Sequence, residues 1–162
     1  MVGGEAMTAN EFAVEIVVPT VRDFRDNRRS RRHAYLACVV AYQLKDYLNQ
    51  EGVDVDAAMK TFGRSNSFEA VRAVCTGAKH KIFNGDRYPD NIPFTAGEDY
   101  DRPPALAGEM VCGLSRVGDA HGGREIAWHL GGLDIYSSVK AALKNYQFHF
   151  ADLLANADFE AC

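Results

Sequence analysis

Apolar positions recur along this chain mostly at helical spacing. Over residues 31–50, Leu36, Val40, Leu44, Tyr47 and Leu48 form one stripe, Tyr35, Val39 and Tyr42 widen it, and Gly52 stands just beyond as a stop signal. The spacing predicts a long helix here. A second series, Ile135, Val139, Ala142, Leu143, Tyr146, Phe150 and Leu153, follows the i, i+4, i+7, i+8 rule over about five turns, with Asp134 as its cap. Between them, Phe68, Val71, Val74, Cys75 and Ala78 mark a helix over 67–80, and Asn66 and Glu69 have the spacing of a capping box. Residues 11–18 suit a short helix capped by Thr8 or Asn10, with Pro19 ending it or starting the next turn. Asp54 or Asp56 caps a brief helix through Phe62, stopped near Gly63.

The period changes in the second half. Residues 84–108 contain Pro89, Pro93, Pro103 and Pro104 and several glycines, which predicts a long irregular loop. Loops of that length in compact domains are usually functional. Residues 109–117 and 124–130 then read as two strands, the second placing Ile126, Trp128 and Leu130 inward and Glu125 and His129 outward, joined through Gly118, Asp119, Gly122 and Gly123. The expected fold is mainly α: one helical-bundle domain with a small β-hairpin inserted before the C-terminal helix.

Composition narrows the class. With 162 residues and 47% hydrophobic content, the chain suits one core. Cys38, Cys75, Cys112 and Cys162 are widely spaced with no C-x-x-C pair, which points to reduced thiols in a cytoplasmic protein. No apolar run of roughly 18 residues occurs, so no membrane association is expected.

The net charge of -4 hides an asymmetry. Arg22, Arg25, Arg28, Arg29, Arg31 and Arg32 stand against Asp23 and Asp26 alone, while Asp86, Asp90, Glu98, Asp99 and Asp101 stand against Arg87 alone. The run Arg28, Arg29, Arg31, Arg32 and His33 is a candidate nucleic-acid or anion-binding segment. At a helix start these arginines oppose the dipole, so a compensating partner is expected. Glu98, Asp99 and Asp101 lack the EF-hand pattern and read as a solvated acidic loop. Asp119 and His121 sit on a glycine-bracketed turn where backbone can approach a ligand; His129 or Cys112 could add a metal donor, but no zinc spacing is present and no metal or cofactor is expected. Tyr88, Tyr100 and His121 could instead meet around a small ligand. No P-loop, dinucleotide fingerprint, G-x-S-x-G elbow or H-E-x-x-H motif occurs.

Arg72, Lys79 and His80 are the candidate catalytic residues. At 100° per residue Lys79 lies about 20° and His80 about 80° from Arg72, with Arg72 and His80 roughly 12 Å apart along the axis. Guanidinium and ammonium groups neutralise a phosphate, and an imidazole can move the 2′-hydroxyl proton of RNA.

The run Ser67-Phe-Glu-Ala-Val-Arg-Ala-Val-Cys-Thr-Gly-Ala-Lys-His80, preceded by Arg32-His-Ala-Tyr-Leu-Ala-Cys-Val-Val-Ala-Tyr-Gln-Leu-Lys-Asp-Tyr-Leu48, resembles uncharacterised bacterial helical proteins with an Arg-x-x-x-Asn-x-x-Lys-His helix. Their pattern is similar to the HEPN superfamily (higher eukaryotes and prokaryotes nucleotide-binding). That resemblance implies a helical bundle, a homodimer in many members, and metal-independent RNA cleavage or RNA binding in bacterial defence or stress response. Here seven residues separate Arg72 from His80, against four to six in the superfamily's motif, and Thr76 stands at the asparagine position. RNA or another anionic partner is therefore expected. The alternative is a non-enzymatic immunity, antitoxin or inhibitor protein whose basic cluster and acidic loop are two opposed docking surfaces for a protein partner.

Overall fold

A computed structural model describes residues 6–61, 66–80, 82–83, 92, 94–128 and 131–162. The fold is mainly helical, with a small three-stranded antiparallel sheet. Helix α1 (Ala9–Phe12), a π-helical segment (Ala13–Val17) and α2 (Val18–Asp26) run on as one rod. Thr8 caps it, its hydroxyl accepting from the Glu11 amide while the Glu11 carboxylate accepts from the Thr8 amide. Of the two readings of Pro19, the structure takes the second: the rod does not end there, and Pro19 stands in the first turn of α2. A proline inside a helix cannot donate and crowds the carbonyl four residues back. The wide π turn accommodates it, and the Thr20 hydroxyl donates to the Ile16 carbonyl at 2.7 Å.

Helix α3 (Arg31–Gln50) is capped by Ser30, α4 spans Val55–Thr61, and α5 spans Asn66–His80. Asp54 caps α4, accepting from the Ala57 amide at 2.9 Å. The face α3 buries is not quite the predicted one: Ala34, Ala37, Cys38, Ala41, Leu44 and Leu48 point inward, whereas Leu36 is 46% exposed. Small side chains on this face let α3 approach α5, which offers Ala70, Ala73 and Val74. At α5 the Glu69 carboxylate is bonded to the Arg72 guanidinium one turn along the helix.

Helix α6 (Ile135–His149) begins at Asp134, whose carboxylate accepts from the Ser137 amide at 2.7 Å, and it ends before the predicted limit, with Phe150 as its C-cap. Its inner face packs on α3 and α5, where Phe68 meets Tyr146 edge to face at 6.0 Å. The Tyr146 ring is wholly buried, and among the described residues its hydroxyl finds no hydrogen-bond partner. Burial pushes that phenol well above its ordinary pKa. Removing an unpartnered buried hydroxyl sheds a desolvation cost. Tyr146→Phe is expected to leave the unfolding free energy unchanged or raise it by about 1 kcal/mol, as measured by urea denaturation.

Strands β1 (Ile82–Phe83) and β2 (Phe94–Thr95) pair antiparallel, and β2 rests on α5 where a Cβ at Gly77 would lie 2.5 Å from the Phe94 ring. The sheet proper has the order β3 (Asp99–Arg102), β4 (Gly123–Trp128), β5 (Gly131–Asp134), all neighbours antiparallel. Two expectations are corrected here. Residues 109–117 form successive turns, with Met110 donating to the Leu106 carbonyl and Ser115 to that of Val111, so they make no strand. The strand opposite β4 is instead the acidic segment 99–102, inside the region that reads as an irregular loop. Pairing needs only an extended backbone and a partner edge, and the arginines described below supply the reason two aspartates can sit there. Residues 84–91 and 93, with Asp86, Arg87, Tyr88, Asp90 and Pro89, lie outside the described residues, as do His129 and Leu130.

Candidate functional site: a basic corner and its ionic support

Helix α2 ends at Asn27, and the chain turns through 27–30 before α3 begins. This corner carries most of the arginine-rich segment. It is tied to β4 by Arg124, whose amide donates to the Arg28 carbonyl at 2.9 Å and whose guanidinium donates to the Arg29 carbonyl at 2.6 and 3.1 Å.

The corner's charges divide into two groups. Arg29 clamps Asp101 with two parallel hydrogen bonds of 2.8 Å. Arg31 donates to Asp99 at 3.0 Å, Arg124 stands 3.4 Å from the same carboxylate, and the Tyr35 hydroxyl donates to it at 2.7 Å. Asp99 is only 4% exposed, so it depends on these partners. Burial, then the bond to Asp99, pushes the Tyr35 phenol up to about 12, which keeps it a donor. The basic and acidic segments, far apart in sequence, thus face one another. Asp99 and Asp101 are not a separate acidic surface in this fold, and the compensating partner expected for arginines at the start of α3 is internal for Arg29 and Arg31.

The other group is open. The Arg28 guanidinium lies over the Tyr136 ring, 4.1 Å from its centroid, and makes no ion pair among the described residues. Arg32 is exposed beside His33, with 3.5 Å between guanidinium and imidazole nitrogens, and the other His33 ring nitrogen lies 2.8 Å from the Ser30 hydroxyl. Arg25 reaches Asp26 at 2.9 Å and the Ala161 carbonyl at 2.9 Å. A cavity of about 290 Å³ is lined by Arg25, Asp26, Arg28 and Ser30 of the corner and by His121 of the 103–122 loop.

His121 is placed by a buried ionic cluster behind the corner. Arg102, 5% exposed, donates to Glu125, which is fully buried, stands 3.4 Å from Asp134 and pairs with Asp119. Tyr100 donates to Glu125, and burial and that carboxylate push its phenol up to about 12. Arg116 lies 2.9 Å from Glu125 on the other side. Asp119, so anchored, accepts from the amides of His121 and Gly122 at 3.0 and 3.2 Å. The expectation that Glu125 faces solvent is corrected by this cluster: both faces of β4 are covered, one by Ile126 in the core and one by arginines from β3 and the 103–122 loop. Nothing in the local pattern marks Glu125 as buried, because its partners come from two other segments, β3 and the 103–122 loop.

The candidate catalytic residues are not brought together in the same way. Arg72 is buried and bonded to Glu69 at 2.7 and 3.0 Å, one turn towards the start of α5. Lys79 and His80 are exposed in its last turn. Among the described residues no three acidic, histidine or cysteine side chains gather in a metal-binding group, and Tyr100 is engaged by Glu125 rather than turned to His121. No helix among the described residues is long and apolar enough to cross a membrane. No family model matches this chain, and no curated protein or solved structure is similar enough to it to be matched.

Proposed function

We propose that this chain is a HEPN-like RNA-binding protein of the kind that serves bacterial defence or stress response, and that it holds RNA at the corner between α2 and α3. The observation that carries this is Arg28. Its guanidinium is half-buried on Tyr136, has no acidic partner among the described residues and borders an open cavity. An arginine held over an aromatic ring loses conformational freedom and keeps N–H groups for an anion, which suits phosphate recognition. Arg32 and Arg25 extend the positive surface to either side. Neighbouring Arg29 and Arg31 hold the corner in shape through Asp101 and Asp99, so their contribution is structural.

The expected outcome is binding without turnover. A labelled single-stranded RNA incubated with the protein in chelator should rise in fluorescence anisotropy and stay full length on a denaturing gel. The second reading is metal-independent cleavage, favoured by the exposure of Lys79 and His80 at the end of α5. It requires fragments ending in a cyclic phosphate that disappear with His80→Ala. The pairing of Arg72 with Glu69 favours the binding reading, since a phosphate at His80 would have to draw that guanidinium out of a buried ion pair.

A further inference from the structure

The cavity beside Arg28 is lined from a second segment as well, and that segment is built to hold one side chain. His121 belongs to the 103–122 loop, yet its backbone is pinned: the Asp119 carboxylate accepts the amides of His121 and Gly122, and the same carboxylate is paired with the buried Arg102. Gly122, with φ of 66°, takes the left-handed conformation that lets the chain turn immediately after His121. The imidazole is exposed and, among the described residues, makes no side-chain bond. Among the corner's lining arginines, Arg25 is drawn to Asp26 and Arg29 to Asp101, which leaves Arg28 and His121 as the cavity's donors without an acidic partner among the described residues.

We infer that this cavity takes a phosphomonoester, the terminal phosphate of a nucleotide chain, in preference to an internal phosphodiester. A monoester presents three free oxygens and nearly two negative charges at neutral pH, whereas an internal linkage carries one charge. Two donors from separate segments, a forked guanidinium and an imidazole, match a group that offers several free oxygens. The volume of about 290 Å³ lies just below the range of small-ligand cavities, about 300–1,000 Å³. That is room for a phosphate and its sugar. Asp26 is the acid on the rim, and its pairing with Arg25 keeps its charge from the ligand. The identity of the rest of the ligand rests on the RNA reading; the phosphate subsite does not.

The test uses one short single-stranded RNA in three forms, with a 5′-phosphate, with a 3′-phosphate, and with hydroxyls at both ends, titrated against the full chain. One phosphorylated form should bind about tenfold tighter than the hydroxyl form, the strength of one charge-assisted contact, and the end preferred identifies the source of the monoester. His121→Ala should bring that form down to the affinity of the hydroxyl form. Equal affinity of all three for the wild-type chain, or a preference that survives His121→Ala, overturns the inference. Adenosine 5′-monophosphate and adenosine, titrated by calorimetry, separate the two claims. If no RNA binds but the monophosphate does and adenosine does not, the RNA reading falls and the monoester site stands. If neither RNA nor monophosphate binds, both fall.

Discussion

Replacing Glu125 with alanine is expected to lower the unfolding free energy by about 3–5 kcal/mol, the largest effect of any single substitution in the sheet region. Glu125 is fully buried, and Arg102, Arg116 and Tyr100 all direct donors at it. Taking away the carboxylate strands the Arg102 guanidinium, itself 5% exposed, with less compensation for its desolvation. The cost is a property of breaking the set, so the double variant Glu125→Leu with Arg102→Met should recover much of the loss. Urea unfolding of the three chains checks this: a fall of less than about 1 kcal/mol for Glu125→Ala would mean that solvent reaches the cluster and that the pair behaves as a surface salt bridge. Because Arg102 also anchors Asp119, the double variant should stay folded yet hold His121 less firmly, which links the sheet's ionic core to the cavity at the corner.

The helices were legible in the sequence because each is amphipathic over several turns, and amphipathicity is a local property. Residues 31–50, 67–80 and the start at Asp134 could be placed from spacing and capping side chains alone. What escaped was everything that depends on long-range pairing. The segment 99–102 looks like loop by composition, yet it is a strand because β4 offers it an edge and because Arg29, Arg31 and Arg124 neutralise its aspartates. Residues 109–117 have strand-like composition, yet they coil into turns with Met110, Leu114 and Val117 exposed and pair with no strand among the described residues. Leu36 shows the same limit on a helix: its spacing fits the stripe, but the neighbouring α5 selects the alanine face.

The candidate site divides along the same line. That arginines 28–32 cluster is visible by inspection. Which of them are committed to acids is a three-dimensional fact: a count of charges treats Arg28 and Arg29 alike, while one stacks on Tyr136 and the other is clamped by Asp101. His121 was visible as an imidazole on a glycine turn, but its place in the cavity with Arg28 follows only from the anchoring of Asp119. Conversely, Arg72, Lys79 and His80 share a helix and a motif-like spacing, and the fold engages Arg72 in its own ion pair.

If Arg28 is the phosphate contact, removing its guanidinium should weaken RNA binding with a distinctive dependence on salt. Arg28→Ala is expected to reduce affinity about tenfold, consistent with the loss of one charged hydrogen-bonded contact. It should also flatten the slope of log affinity against log salt by about 0.7, the counterion released per neutralised phosphate of a single strand. The chain should still fold, at a cost of about 1 kcal/mol for the lost contact with Tyr136, because the side chain makes no ion pair among the described residues and its backbone carbonyl still accepts from Arg124. The most direct test of the account is therefore one anisotropy titration of a single-stranded RNA, run at several salt concentrations with the wild-type chain and with Arg28→Ala. Salt-sensitive binding by the wild type, weaker and with a shallower slope in the variant, is the expected result; identical affinity and slope for the two chains, or no binding by either, would contradict it.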